Sequence, residues 1–156
     1  MQDRFKFRAV LHQNKYEEYQ LEKFSHQRVF DVMSINLGIE YSTIEIIAEY
    51  PNGDWAVREI DDKDIDLIQC TGLKDKNGKL IYEGDIVQFY DDEFLQTMKI
   101  IWDNDELDFK AIGLKKSVEC YEEDFSYLGY IKKEDSLEVI GNIYENIDLL
   151  DVKNEN

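Results

Sequence analysis

Few residues of this chain are grouped in a way that catalysis or metal binding would require. Glu83 and Asp85 flank Gly84, and such a carboxylate pair could serve general acid–base catalysis or bind a hard cation. However, successive residues of an extended strand point to opposite faces, and two carboxylates across a bend are uncommon catalytic pairs. A turn whose backbone donors are capped by carboxylates is the favoured interpretation.

A calcium loop is the second chemistry to weigh. The run Asp75-Lys76-Asn77-Gly78 is similar to the middle of such a loop. With Gly78 at position 6, Leu73 would take position 1 and Gly84 position 12, and neither side chain supplies the required carboxylate. The sequence therefore predicts no calcium loop.

Histidine and cysteine chemistry is equally sparse. His12 and His26 have neither a metal-ligand spacing nor a neighbouring nucleophile motif. Cys70 and Cys120 lack a CxxC motif and a nearby histidine, so both are interpreted as small hydrophobic residues, although a secreted chain could bridge them. No glycine-rich phosphate loop is present. We therefore predict no catalytic, cofactor-binding or metal residues, and an enzyme with an unrecognised hydrolase or nucleotide site ranks third among the functions.

The elements that would position these residues are mainly strands. In residues 1–68 apolar residues alternate with polar ones, and this pattern predicts a hairpin-rich β subdomain. Its clearest hairpin turns at Pro51-Asn52-Gly53-Asp54, between strands over 44–50 and 55–60. The acid-rich run 61–67 is predicted to be a short helical turn and the boundary between two halves. Further strands are expected at 5–11, 16–21 and 28–33, with a loop at 34–38.

Residues 69–147 carry turn signals at the 8–12 residue spacing of small all-β folds. A second hairpin turns at Asn77-Gly78, and Gly84 allows a sharp bend before the next strand. By analogy of fold we expect an SH3-like barrel here, followed by a tail over 148–156. Its strands are predicted at 85–90, 97–102, 107–111 and 137–144, and 113–136 is assigned no structure.

Three blocks of sequence identify a family. The run from Thr71 to Val87, TGLKDKNGKLIYEGDIV, strongly resembles the signature of the YopX family of phage and prophage proteins. The opening FKFRA and the closing VIGNIYEN resemble that family in the same order, so the likeness spans nearly the whole chain. Val10, Cys70 and Ile147 stand where the family usually has Trp, an aromatic residue and Pro. We interpret these departures as variation in packing.

The resemblance implies a two-part β-rich fold with an SH3-type C-terminal barrel and an origin in a phage or prophage. It implies no activity, since the family brings no catalytic or cofactor residues with it. The matching positions are therefore interpreted as structural. They are Thr71, Gly72, Leu73, Asp75, Asn77, Gly78, Ile81, Tyr82, Gly84, Asp85, Ile86, Val87, Ile140, Gly141, Asn142 and Ile143.

Charge excludes several classes of partner. With 35 acidic and 18 basic residues the chain has a formal net charge of −17, which disfavours direct nucleic-acid binding and docking on anionic membranes. No apolar stretch approaches the roughly 20 residues of a bilayer span. The charged start is not followed by the apolar region of a signal peptide, so we expect no signal peptide. We expect a cytoplasmic protein of the bacterial host.

Two interpretations of the acidic residues stay open. The acids cluster at 61–66, 91–93, 103–108 and 119–124, where they form either a solvated rim or a mimic of nucleic-acid phosphates. The aromatic residues are interpreted as core and cross-strand pairs, with the surplus of tyrosine available to an interface. The leading prediction is a non-enzymatic accessory protein, an interaction module that self-associates as a homo-oligomer and has a host or phage protein as a candidate further partner. The alternative is an acidic inhibitor of a host nucleic-acid-binding protein.

Overall fold

The computed structural model describes residues 6–23, 28–91, 94–114, 125–128 and 136–150. Eleven β-strands lie in these ranges and form two antiparallel sheets, so the predicted mainly β fold is confirmed. Packing divides the chain between Gln69 and Cys70 into two compact units. We refer to the described residues up to Gln69 as the N-terminal unit and to those from Cys70 onwards as the C-terminal unit.

The N-terminal unit is built on a sheet with the strand order β4-β3-β2-β1-β5. Its core consists of residues that alternate along the strands, such as Ile44, Ile46 and Ala48, each no more than 2% exposed. Tyr16 and Tyr19 pack against this core from the connection between β1 and β2. The strands are β1 (Phe7–Leu11), β2 (Val29–Asn36), β3 (Thr43–Glu49), β4 (Trp55–Asp61) and β5 (Ile65–Lys74).

Two predictions for this unit are wrong. Residues 16–21 do not form a return strand; they form turns and lead into a 3-10 helix at Leu21–Lys23, because the aromatic side chains and the buried Leu21 cover the core. β1 pairs instead with β2 and with β5. The loop predicted at 34–38 begins later, since β2 continues to Asn36 after a bulge between Val32 and Ser34. The hairpin over 44–60 is confirmed, and Tyr50 N donates to Asp54 O at 2.7 Å in its turn.

The acid-rich connector is partly as predicted. A 3-10 turn at Asp62–Asp64 is present, and the Asp61 carboxylate accepts a hydrogen bond from Lys63 N at its start. The turn ends sooner than expected, because β5 begins at Ile65. The first half of β5 pairs with β1, and its second half pairs with β6.

The C-terminal unit contains a five-stranded sheet with the order β10-β9-β8-β7-β11. Ile81, Val87, Ile100 and Ala111 are completely buried in its core. The strands predicted at 85–90 and 97–102 are confirmed as parts of β7 and β8. The strands of this unit are β6 (Leu80–Tyr82), β7 (Asp85–Asp91), β8 (Phe94–Asp103), β9 (Asp108–Gly113), β10 (Phe125–Tyr127) and β11 (Glu138–Asn142).

The closed barrel expected in this unit is not found in the described residues, and an SH3-like topology is not confirmed. β10 and β11 lie at opposite ends of the sheet, and no ladder joins them there. β10 contributes only three residues, and the pairing of β11 with β7 shifts register between Val139 and Gly141. The spacing of strands along a sequence predicts their number, whereas closure depends on which edges pair.

Candidate interaction surface

Asp75 shows what the signature residues do. Its carboxylate is 7% exposed. Oδ1 accepts hydrogen bonds from Asn77 N and Lys79 N, both at 2.9 Å, and Oδ2 accepts one from Val139 N at 3.1 Å. One side chain therefore closes the turn at Asn77-Gly78 and attaches it to β11, which lies far along the chain.

Gly84 and Asp85 form a second connection of the same kind. Gly84 N donates to Ile100 O at 2.8 Å, and Gly84 O accepts from Ile143 N at 2.9 Å. The Asp85 side chain, 3% exposed, accepts a hydrogen bond from Tyr82 N at 2.8 Å. In this arrangement Asp85 caps the bend.

The closing block forms the turn that meets Gly84. Asn142 Oδ1 accepts from Tyr144 N at 3.0 Å and from Glu145 N at 2.9 Å, while Asn142 N donates to Asn146 Oδ1 at 3.0 Å. A Cβ on Gly141 would lie 2.5 Å from that Asn146 oxygen, so a larger residue there would have to displace the Asn146 side chain.

The other signature residues belong to the same unit and are mostly packed. The Thr71 hydroxyl donates to Ile81 O at 2.8 Å, and Gly72 and Gly78 have the positive φ angles of 80° that glycine accepts. Leu73 packs against the core, Tyr82 and Ile86 are buried, and Ile140 and Ile143 are half-buried. Signature positions therefore hold the turns and core of this unit together.

A polar cluster that the sequence analysis missed lies in the N-terminal unit. Asp64, 4% exposed, accepts a hydrogen bond from Tyr19 Oη at 2.8 Å and forms an ion pair with Lys15 Nζ at 3.2 Å. Burial opposes ionisation of Asp64, but the hydrogen bonds from Tyr19 and Lys15 outweigh it and lower its pKa. Burial raises the pKa of Tyr19. The cluster attaches the β1–β2 connection to the start of β5, and a less acidic phenol is a poor nucleophile.

The histidine and cysteine positions form no reactive arrangement in the described residues. His12 Nε2 lies 3.3 Å from Asp66 Oδ2 at the surface, and Cys70 is buried with its sulfur accepting from Gly72 N. His26, Cys120 and the acidic cluster at 119–124 lie outside the described residues. In the part of the chain that the structure describes, no group of three or more candidate side chains is placed to bind a metal ion.

Among the residues that the structure describes, the most exposed apolar segment joins β2 to β3. We call residues 37–41 the apolar loop. Leu37 is 85% exposed, Tyr41 is 71% exposed and Ile39 is fully exposed. The loop lines an open depression of about 530 Å³ together with Asn36 and Thr43. Glycine is required at Gly38 because a Cβ there would collide with the carbonyl of Tyr41.

Two further exposed apolar side chains precede the loop on β2. Met33 is 60% exposed and Ile35 is 37% exposed. Between Met33 and Thr43 the sequence has one charged residue, Glu40, in a chain that carries 53 charged residues in total (18 basic and 35 acidic). Clusters of exposed apolar side chains are a feature that protein interaction sites share. The sequence predicts a loop at 34–38 but indicates no function for it, because the exposure of a side chain cannot be read from composition.

The chain is therefore a mainly β protein with an exposed apolar loop among its described residues. The YopX protein family model matches residues 6–151, and the chain belongs to that family. In the described residues, no helix is long and apolar enough to cross a bilayer.

The solved structures that are similar to this chain include one from Bacillus subtilis and one from Enterococcus faecalis. The crystal structure of the YopX protein from Bacillus subtilis aligns with a TM-score of 0.54 and 17% identity, over 94% of this chain and 98% of that one, which shows a shared fold. The crystal structure of protein EF1440 from Enterococcus faecalis is 27% identical over 93% of this chain and 96% of that one, with a TM-score of 0.44. No curated protein sequence matches the chain.

Proposed function

We propose that this protein is a non-catalytic protein–protein interaction module, an accessory protein of a phage or prophage that acts in the host cytoplasm and self-associates. The exposure of Leu37, Ile39 and Tyr41 carries the proposal. Burying one large apolar side chain contributes about 1.5–3 kcal/mol, so these three side chains offer a protein partner a substantial apolar contact. We assign the apolar loop to a partner protein and treat self-association as a separate property.

The polar groups of the described residues support a binding role over a catalytic one. Lys15, Tyr19 and Asp64 satisfy one another, and Asp75 and Asp85 accept backbone hydrogen bonds. These groups are engaged in holding turns and connections in place. A catalytic group would instead have to reach a bound substrate.

Mimicry of nucleic acid is the weaker proposal, because several acidic side chains are already paired with lysines. A mimic needs a dense array of unpaired carboxylates to meet a basic surface. The pairs are Asp61 with Lys63, Asp64 with Lys15, Asp103 with Lys110 and Glu138 with Lys76.

The double substitution Leu37→Ser, Ile39→Ser tests the apolar loop. Affinity capture from a lysate of the host bacterium should recover a specific protein with the wild-type chain and at least about tenfold less with the variant, since about 1.4 kcal/mol of lost binding gives that factor. Leu107→Asn is the matched control, since Leu107 is 72% exposed and belongs to the C-terminal unit. Circular dichroism checks that both variants fold.

Equal capture by the wild-type chain and the double variant would overturn the assignment of the apolar loop. Static light scattering tests self-association independently. We expect a mass above that of the 18.5 kDa chain at tens of micromolar protein. A strict monomer would overturn that part of the proposal.

A further inference from the structure

β4 is the outer strand of its sheet, and the hydrogen bonds of its hairpin show which backbone groups face outwards. Tyr50 N donates to Asp54 O and Asp62 N donates to Ser42 O, so the hydrogen-bonded pairs with β3 have even numbers. Since hydrogen-bonded and non-hydrogen-bonded pairs alternate in antiparallel ladders, the odd residues of β4 direct their N–H and C=O groups away from β3.

Two observations agree with this assignment. Asp61 N donates to the Tyr19 hydroxyl at 3.2 Å, and Val57 O accepts from the Arg58 side chain at 3.0 Å. Within the described residues no strand pairs with the outer edge of β4. The backbone groups of Trp55, Val57 and Glu59 therefore form an edge to which another strand could be added.

Apolar side chains on one face of the sheet form a row that ends at β4. We call Ile47, Val57 and Trp55 the apolar row. Val57 lies directly opposite Ile47 of β3, on the face of the sheet away from the buried Ile46. Both side chains are half-buried, and Trp55, on the same face, is 66% exposed. A strand added to β4 would cover this row from the side.

We infer that the added strand is β4 of a second copy, paired antiparallel with Val57 opposite Val57. This inference rests on the self-association in the proposed function. Trp55 then lies opposite Glu59 of the second copy, and about six main-chain hydrogen bonds join the two sheets. The apolar row continues from Ile47 and Val57 of one copy to Val57 and Ile47 of the other.

Other symmetric registers are less favourable. A pairing centred on Arg58 would place two guanidinium groups directly opposite each other, and one centred on Glu59 would oppose two carboxylates. A pairing centred on Ala56 would use only the first few residues of β4, since the strand begins at Trp55. The register centred on Val57 is the longest that opposes no like charges. In it the second strand displaces the Arg58 side chain from Val57 O.

Cysteine cross-linking tests the register. In the proposed pairing the two Val57 Cα atoms lie about 5.5 Å apart, within the range that a disulfide spans. The two Glu59 Cα atoms are offset by four residues, at least about 13 Å. With oxidised glutathione, Val57→Cys should give a disulfide-linked dimer on a non-reducing gel and Glu59→Cys should not. The double variant Trp55→Cys, Glu59→Cys should cross-link again, and the wild-type chain controls for Cys70 and Cys120.

A second variant guards against altered folding. Val57→Glu places two carboxylates opposite each other and should shift the protein to a monomer in light scattering, with capture by the apolar loop unchanged. If the wild-type chain is multimeric but Val57→Cys links no better than Glu59→Cys, the strand pairing is overturned while self-association survives. If the wild-type chain is monomeric and no variant cross-links, both the strand pairing and the proposed self-association are overturned.

Discussion

Among single residues, Asp75 has a structural role that its hydrogen bonds define. Its two oxygens accept three backbone hydrogen bonds from the turn and from β11. Asp75→Ala would leave these donors without a partner in a site that is 7% exposed. We expect the free energy of unfolding, measured with urea, to fall by about 2–4 kcal/mol.

Asn52→Ala is the matched control for that prediction. Asn52 Oδ1 accepts from Asp54 N at 3.1 Å in an exposed turn, so water replaces the lost acceptor, and the change should cost less than about 1 kcal/mol. Asp75→Asn should cause a loss of stability between those of Asp75→Ala and Asn52→Ala. Its amide NH₂ group would take the place of Oδ2, so two donors would face each other at Val139 N. Equal losses for Asp75→Ala and Asn52→Ala would contradict the role given to Asp75.

The lowered pKa of Asp103 predicts how the free energy of unfolding depends on pH. The hydrogen bond from Lys110, followed by those from Glu106 N and Asp105 N, lowers the pKa of Asp103 to about 2. Because its pKa in the unfolded chain is about 3.9, this stabilisation is present above about pH 4 and is lost as the pH falls towards 2. Asp103→Asn should therefore lose less stability than the wild-type chain between those values. Urea unfolding at several pH values measures this, and parallel curves would contradict the prediction.

At the scale of elements, the bend before β7 depends on Gly84. Its φ of 79° is unfavourable for other residues, and a Cβ there would lie 2.7 Å from the Tyr144 ring. Gly84→Ala should therefore combine a backbone cost of about 1–2 kcal/mol with a steric clash. Gly78→Ala has nearly the same φ but nothing within 4 Å of the added Cβ. Thermal unfolding should give a larger loss for Gly84→Ala, and equal losses would show that the ring moves aside at no cost.

The hairpins were predictable from sequence, because Asn-Gly turns and alternating strands are local signals. The turns at Asn52-Gly53 and Asn77-Gly78 are present with positive φ at both glycines. The prediction of a strand at 16–21 is wrong because this segment is determined by contacts that are not local. Tyr16 and Tyr19 cover a core that distant strands form. Strand order is equally non-local: β1 pairs with β5, more than fifty positions away.

The candidate surface was the least predictable part. The residues of the apolar loop have the composition of a buried segment, and only the fold places them outside. The family signature was recognisable as a sequence, but its contacts between Asp75 and β11 were not, because they join segments about sixty positions apart. Local patterns thus predicted turns, and tertiary contacts determined the surface.

At the scale of the whole molecule, the net charge of −17 constrains how copies can meet. Like-charged proteins repel each other over a screening length that falls from about 30 Å at 0.01 M salt to about 3 Å at 1 M. In the pairing centred on Val57 no like charges lie opposite each other along β4, so the attraction comes from apolar side chains and backbone hydrogen bonds. Salt should therefore weaken the repulsion between copies and leave the attraction between them intact.

We accordingly expect self-association to strengthen as salt increases. Sedimentation velocity at about 0.05 M and about 0.5 M sodium chloride should show a larger share of dimer at the higher concentration, because only the repulsive term is screened. Association through acidic side chains and a basic surface would respond in the opposite direction, since screening then weakens the attraction itself. Dissociation on adding salt would contradict pairing along β4 and favour a charge-driven contact.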